Sequence, residues 1–355
     1  LAALLERKVI QHKRDKETKR QREKERERER EKEKEEERRR EKETEVEMNV
    51  VLSLLWVVLM TWVFVWCVAF GPKWLMKERD AAKRAVGIQA TWFAAVFYLI
   101  YSRDKAFSLK QVKDAVHTNL KDPELKTKTI IFIRHGESKW NEMFNRGFGP
   151  GFVIRLLDGL LSELQRMTFG DSLFIDSPLG RRGEKEALDI CRYLRSQHKA
   201  AGESTTKLPP QSALAKSLDY AHELYDGDGD DMRIVSSNLR RSMNTVTIAL
   251  QDRIFRKKEK VEILSSLQEI SRNVDTVSLA GPGGVQSNMG GHMSGLEAEK
   301  VFDASYNRGN KKPANRGAER IKEFVTWIFK QKEGKIVVSG HSLYFRWFFR
   351  IYLPH

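Results

Sequence analysis

Two histidines and an arginine stand directly behind short apolar segments, where their side chains are placed to act together. Arg134 and His135 follow residues 129–133, and His341 follows residues 335–339 after one glycine. Both segments are rich in β-branched residues and bounded by charged ones, which is typical of buried strands. Open α/β sheets keep their ligand sites at the carboxyl ends of the strands, so we expect these side chains to meet at one edge of a sheet.

A pair of arginines, Arg240 and Arg241, stands behind a third such segment, residues 233–237. A helix is predicted to run from this pair to Ile254. Helix amino ends attract anions, and basic side chains beside them favour anion capture. A single strand followed by basic residues would be an ordinary strand and turn with solvated side chains. Three strands that are each followed by arginine or histidine predict an anion-binding site.

The remaining patterns predict further strands and helices around these transitions. A fourth strand is predicted at residues 261–264, and apolar residues at helical spacing predict helices over 183–197 and 317–332. Ser177, which precedes a proline, is expected to cap the first of these helices. The glycine-rich residues 145–161 predict a loop that leads to an apolar patch.

The amino-terminal part, residues 1–48, consists mostly of Glu, Lys and Arg. Pairs of opposite charge four residues apart predict a solvated charged helix or a disordered arm. The formal net charge of the chain is +15, which favours anionic partners. No zinc-finger spacing or RNA-binding motif is present, so we expect no specific nucleic acid, although an arm that binds RNA or a partner stays an alternative.

Residues 49–104 are predicted to form a membrane region. Residues 48–72 carry no charged side chain. A helix over residues 50–70 would be about 30 Å long, which matches the hydrocarbon core of a bilayer. The sequence therefore predicts a transmembrane span there.

A second uncharged stretch, residues 85–102, leaves two alternatives open. It forms either a second span or an interfacial helix anchored by Trp92, Tyr98 and Tyr101. A two-span hairpin would place the charged arm and the carboxyl-terminal domain on the same side of the membrane, and we expect that side to be the cytosol. Residues 105–128 are predicted to be a linker with a short amphipathic helix.

Five segments between residues 129 and 350 carry a resemblance to a known family. They are RHGESKWN at 134–141, DSPLGRRGEKEA at 176–187, SSNLRRSMNT at 236–245, LQEI at 267–270 and VVSGHSLYFR at 337–346. In this order they resemble the histidine phosphatase superfamily, also called phosphoglycerate-mutase-like. The resemblance implies a three-layer α/β/α sandwich with a mostly parallel central sheet over residues 129–355. We expect this domain to be truncated at its carboxyl terminus.

The resemblance also implies roles for individual residues. His135 is implied as the nucleophile and Glu269 as the general acid. The residues expected to hold the phosphoryl group or the substrate are Arg134, Arg241, His341, Asn141, Ser138 and Arg240. A histidine nucleophile that forms phosphohistidine needs neither a metal ion nor a cofactor, so we expect none.

Together these features predict a membrane-anchored phosphatase that acts on phosphoproteins or small phosphate monoesters. Two alternatives stay open: a phosphoglycerate-mutase-type phosphomutase, and a membrane scaffold that binds phosphorylated ligands without turnover. Insertions near residues 145–175, 200–231 and 278–295 lengthen the chain relative to the short mutases and disfavour the glycolytic mutase reaction.

Overall fold

The computed structural model describes residues 79–105, 127–147, 149–203, 213–226, 232–286, 288–293 and 295–353. The charged arm at 1–48, the predicted span at 50–70 and almost all of the predicted linker at 105–128 lie outside the described residues.

The described chain is built on a five-stranded sheet with the strand order β1-β5-β2-β3-β4. The strands are β1 (Thr129–Arg134), β2 (Met232–Ser237), β3 (Val261–Leu264), β4 (Phe302–Asp303) and β5 (Lys335–Gly340). Every neighbouring pair is parallel. The fold is therefore α/β, and the four predicted strands are confirmed to within a residue at each end. The short β4 had no sequence signal.

Helices connect the strands and cover both faces of the sheet. They are α1 (Arg79–Tyr101), α2 (Lys139–Phe144), α3 (Pro150–Met167), α4 (Arg181–Glu203), α5 (Ala213–Asp226), α6 (Arg240–Ala249), α7 (Gln251–Lys257), α8 (Ala298–Val301), α9 (Gly317–Lys330) and α10 (Ser342–Tyr352). The predicted helix from Arg240 to Ile254 is interrupted at Leu250, where the backbone leaves helical geometry.

Alternate strand residues belong to two different hydrophobic cores. Val337 packs in a core with helices α4 to α7. Its neighbours Ile336 and Val338 pack in a second core with α9 and α10. Successive side chains of a strand point to opposite faces of the sheet, and here both faces are covered by a hydrophobic core. This explains why the strand sequences are continuous apolar runs.

Two local predictions are wrong. The predicted loop at 145–161 is largely the helix α3, which begins at Pro150 and presents apolar residues at helical spacing. The glycines at its start concealed that spacing. Ser177 does not cap α4, because its Oγ accepts the backbone N–H of Trp140 on α2 (2.9 Å).

Residues 85–102 form most of α1, which packs against α3 through polar contacts. The indole Nε1 of Trp92 donates to Glu163 (2.8 Å), and Nε of Arg84 donates to the carbonyl of Thr168 (2.8 Å). Within the described ranges, α1 included, no helix has both the length and the apolar character needed to cross a bilayer. Trp92 and Tyr98, expected as interfacial anchors, are instead buried against the rest of the fold.

Glycines allow the turn after β1 to touch the start of α4. A Cβ built on Gly136 would lie 2.5 Å from the carbonyl oxygen of Gly183. A Cβ on Gly183 would meet the backbone of Glu137 equally closely. Neither backbone can give way as a flexible side chain would, so glycine is required at both positions.

We predict that Gly136→Ala lowers the free energy of unfolding by about 1–3 kcal/mol, because the added methyl group overpacks a backbone contact. Gly281→Ala is the matched control, since a Cβ there meets nothing within 4 Å. Urea denaturation followed by tryptophan fluorescence measures both. Equal unfolding midpoints for the two variants would contradict the assignment.

Candidate active site

His135 lies at the carboxyl end of β1, where its backbone N–H donates to Gly340 and extends the β1–β5 ladder by one residue (3.0 Å). Its Nδ1 is 2.7 Å from the carbonyl oxygen of Gly136. A carbonyl oxygen accepts only, so Nδ1 carries the proton and Nε2 is unprotonated. The Nε2 lone pair accepts a hydrogen bond from Nε of Arg241 (3.4 Å).

The His135 ring is held neutral. Burial, followed by the charges of Arg241 and Arg134, lowers the pKa of His135 to about 3. The hydrogen bond to Gly136 opposes this shift without reversing it. A neutral imidazole with its proton fixed on Nδ1 presents a nucleophilic nitrogen at physiological pH.

His341 stands beside His135, with ring centroids 5.0 Å apart and planes inclined by 60°. It precedes α10, and its Nε2 lies 2.9 Å from Oγ of Ser237 at the end of β2. Its Nδ1 is buried and has no hydrogen-bond partner among the described residues. Burial and the nearby charge of Arg241 hold the pKa of His341 well below its usual value.

Arg241 is a nearly fully buried cation in the first turn of α6. Its Nη1 donates to the carbonyl of Asp275 (2.7 Å), and its Nη2 lies 3.3 Å from the carboxylate of the same residue. This two-point contact fixes the guanidinium with its Nε toward His135. Burial raises the pKa of Asp275, and Arg241 counteracts that shift.

Arg134, the last residue of β1, is exposed. Its side chain forms no hydrogen bond or ion pair within the part of the chain that the structure describes. Its charge nevertheless helps to lower the pKa of both His135 and His341. Arg134 is thus a cation available to an incoming anion.

Glu269 is a buried carboxyl group whose Oε1 accepts the backbone N–H groups of Ile270 (3.0 Å) and Tyr344 (2.9 Å). Burial raises the pKa of Glu269, while Arg241 and Lys311 oppose the rise. The charge of Arg241 thus acts on the pKa of both the Glu269 carboxyl group and the His135 imidazole. A carboxyl group whose pKa is raised is suited to donate a proton.

A buried ion cluster lies behind Glu269. Nζ of Lys311 donates to the carbonyl oxygens of Glu269 (2.5 Å) and Ser271 (2.6 Å) and to Asp104 (3.0 Å). Asp104 also accepts from Nη1 of Arg320 (2.6 Å). Burial lowers the pKa of Lys311 to about 8, although Asp104 acts in the opposite direction.

The structure gives Arg240 a structural position in place of the predicted contact with substrate. Its guanidinium is fully buried and donates to Asp171 (2.6 Å), Asn288 (3.2 Å), Ser172 and the carbonyl of Asp176. These contacts tie α6 to the segment before α4 and leave Arg240 committed to the scaffold.

Ser138 and Asn141, both predicted to bind substrate, differ in whether their side chains are already used within the protein. Ser138 is fully buried, and its Oγ caps α2 by accepting the N–H of Asn141 (3.2 Å). The side-chain amide of Asn141 is half-buried and forms no hydrogen bond to any described residue. Asn141 is therefore free to contact a ligand, whereas the predicted role of Ser138 in binding substrate is taken up by capping.

Sequence reasoning missed three residues that hold the site. Asp275 fixes Arg241, Lys311 donates to the backbone carbonyl of Glu269, and Asp104 pairs with Lys311. None of them belongs to a motif, and Asp104 stands 207 residues before its lysine partner. No local sequence signal could have found contacts of this range.

No protein-family model matches the chain, and no curated protein matches it.

We predict that the protonation of His135 contributes to acid instability. Its folded-state pKa lies below the unfolded value of about 6.5, so the unfolded chain binds the proton first and stability falls as the pH drops from about 6.5 toward 3. At pH 5 this contribution is about 2 kcal/mol. His135→Gln removes it.

Urea denaturation of wild type and variant at pH 7 and pH 5 measures this difference. The loss of stability between the two pH values should be smaller in His135→Gln by that amount. His222→Gln, in which an exposed histidine on α5 is replaced, is the control and should keep the wild-type slope. Parallel slopes in all three proteins would show that His135 does not titrate as described.

Proposed function

We propose that this chain is a membrane-anchored phosphatase of the histidine phosphatase superfamily that hydrolyses phosphate monoesters through a phosphohistidine on His135. The observation that carries the proposal is the hydrogen bond from Nδ1 of His135 to the Gly136 carbonyl (2.7 Å), which leaves Nε2 unprotonated beside Arg241. The domain would then be a three-layer phosphoglycerate-mutase-like sandwich. Its attachment to a membrane would rest on residues 50–70.

In the first step, Nε2 of His135 attacks phosphorus, and the bond between phosphorus and the leaving oxygen breaks. The Nδ1 proton remains on the ring, stabilised by the Gly136 carbonyl as the ring acquires positive charge. Dividing the displacement into two steps replaces one difficult attack by water with two easier transfers.

The equatorial oxygens of the transferring group carry negative charge, which cations and N–H donors stabilise. Arg241 supplies a fixed buried guanidinium and Arg134 an exposed one without a protein partner in the described chain. The unpaired Nδ1 of His341 supports a third contact. If Ser237 donates its hydroxyl proton to Nε2 of His341, Nδ1 carries the ring proton and donates it toward a phosphate oxygen.

Glu269 completes the proton balance. Its raised pKa favours the protonated form, which would donate its proton to the leaving oxygen in the first step. As a carboxylate it then accepts a proton from the water that attacks phosphohistidine. The bond between phosphorus and Nε2 breaks, its electron pair returns to the ring, and inorganic phosphate leaves.

We predict that the full chain in detergent with EDTA releases phosphate from 4-nitrophenyl phosphate and that His135→Ala lowers kcat by at least about a thousandfold, because the nucleophile is lost. His222→Ala, an exposed histidine remote in sequence from the motifs, should retain full activity. A radiolabelled phosphoenzyme that is stable to alkali and labile to acid should be trapped in the wild type and in His222→Ala but not in His135→Ala.

A folded wild-type chain that releases no phosphate would overturn the proposal. Phosphoenzyme without phosphate release, discharged only onto an acceptor alcohol, would indicate a phosphomutase. Ligand binding without either would indicate a scaffold.

We predict that the effect of Glu269→Gln depends on the leaving group. With alkyl phosphates, whose leaving oxygen needs a proton, kcat/KM, which reports the formation of phosphohistidine and not its hydrolysis, should fall by about a hundredfold or more. With 4-nitrophenyl phosphate, whose phenolate leaves without a proton, the fall should be much smaller. Steady-state kinetics on both substrates measures the contrast, and an equal loss on both would remove Glu269 from the role of general acid.

A further inference from the structure

Helices α1 and α3 lie side by side and run in opposite directions. Trp92 contacts Glu163, whereas the earlier residue Arg84 contacts the later residue Thr168. The indole of Trp92 also packs edge-on against Phe174, 5.9 Å between centroids. The pair is thus fixed to the α/β fold through its inner side.

The outer side of this pair is strongly apolar. Its members are all large exposed hydrophobic side chains of the two helices, and we call this set the α1–α3 apolar surface: Phe93, Phe97, Ile100, Tyr101, Val153, Ile154, Leu157, Leu161 and Leu164. The spacing within each helix, mostly three or four residues, places each set on one side of its helix.

The pair differs from an ordinary surface helix, which turns mainly polar side chains to water, because large apolar side chains are exposed while two polar ones are buried. The fully buried Gln89 and the buried carboxyl group of Glu163 lie on the inner side. Phe97 and Leu161, in contrast, are 55% and 68% exposed. Large contiguous apolar patches on a protein surface mark sites of contact with a partner or a membrane.

The sequence before α1 identifies the occupant. The uncharged residues 48–72 end only a few residues before Arg79, and an extended chain covers at most about 3.6 Å per residue. A bilayer that holds residues 50–70 would therefore lie within about 30 Å of the start of α1. The chain between them and the first turns of α1 are basic, with Lys73, Lys77, Arg79, Lys83 and Arg84, which suits anionic lipid headgroups.

We propose that the α1–α3 apolar surface lies in the headgroup and acyl boundary of the bilayer that holds residues 50–70. The outer side chains of both helices enter the lipid, while their inner side chains hold the catalytic domain against the membrane. This inference rests on the membrane attachment in the proposed function and adds a second, peripheral contact to it. It assigns α1 to the membrane surface through its outer face, with Trp92 and Tyr98 on the protein side.

The test uses the full chain in liposomes of phosphatidylcholine with phosphatidylserine. Its two cysteines are replaced (Cys67→Ser, Cys191→Ala), and a nitroxide label is attached at Phe97→Cys, Leu157→Cys or Leu161→Cys. Tyr193→Cys on α4 and Phe255→Cys on α7 are controls, because these side chains are exposed hydrophobics outside the proposed surface. Electron paramagnetic resonance compares the access of oxygen, which concentrates in lipid, with that of a water-soluble nickel chelate.

We predict that the ratio of oxygen access to nickel access is several-fold higher at positions 97, 157 and 161 than at 193 and 255. Equal ratios at all five positions would overturn the proposal. Labels at 97, 157 and 161 that are immobile and closed to both reagents would also overturn it, because protein would then cover the surface.

Two parallel measurements separate this inference from the proposed function. Resistance to extraction at alkaline pH reports attachment through residues 50–70, and loss of attachment overturns both proposals on location. Hydrolysis of 4-nitrophenyl phosphate by the labelled proteins reports the catalytic proposal alone, since none of the labelled positions belongs to the candidate active site. Circular dichroism confirms that each labelled protein is folded.

Discussion

The guanidinium of Arg241 is the charge on which the candidate site depends. A cation buried this deeply needs compensation, and the neighbouring groups divide that task. Asp275 forms an ion pair with Arg241. The pKa values of His135 and His341 are lowered, so these rings add no further positive charge beside it. Burial raises the pKa of Glu269, and the same cation opposes that rise. An anion bound beside Arg241 would add to the compensation of its charge.

The backbone holds this arrangement as firmly as the charges do. The carbonyl of Gly136 selects the His135 tautomer, and its N–H is itself held by Oγ of Thr245 on α6 (3.1 Å). The same hydroxyl donates to the carbonyl of Arg241 (2.8 Å). The backbones of Gly136 and Arg241 are therefore linked through one threonine, and the glycine contact between Gly136 and Gly183 closes the turn from the other side.

The sequence predicts the parts of the site that repeat a local pattern. The strands before Arg241 and His341 are largely buried, and the edge strand before His135 is half-buried along its apolar run, so the positions of all three follow from composition. Adjacent residues on a helix, in contrast, point about 100° apart. That is why Arg240 and Arg241, indistinguishable as a basic pair, have opposite fates, one in the scaffold and one beside the histidines. Long-range ion pairs have no local signature at all.

Asp104 belongs to the folded domain although it precedes the first strand, because it pairs with the buried Lys311 and Arg320. A fragment starting at residue 129, where the first strand begins, would omit Asp104 and leave Lys311 and Arg320 buried with carbonyl oxygens as their remaining partners. Removing one partner of a buried ion pair typically costs about 3–5 kcal/mol, a large share of the net stability of a domain. Expression boundaries drawn from the strand pattern would therefore yield a weakened protein, whereas a fragment that begins before α1 keeps the cluster whole.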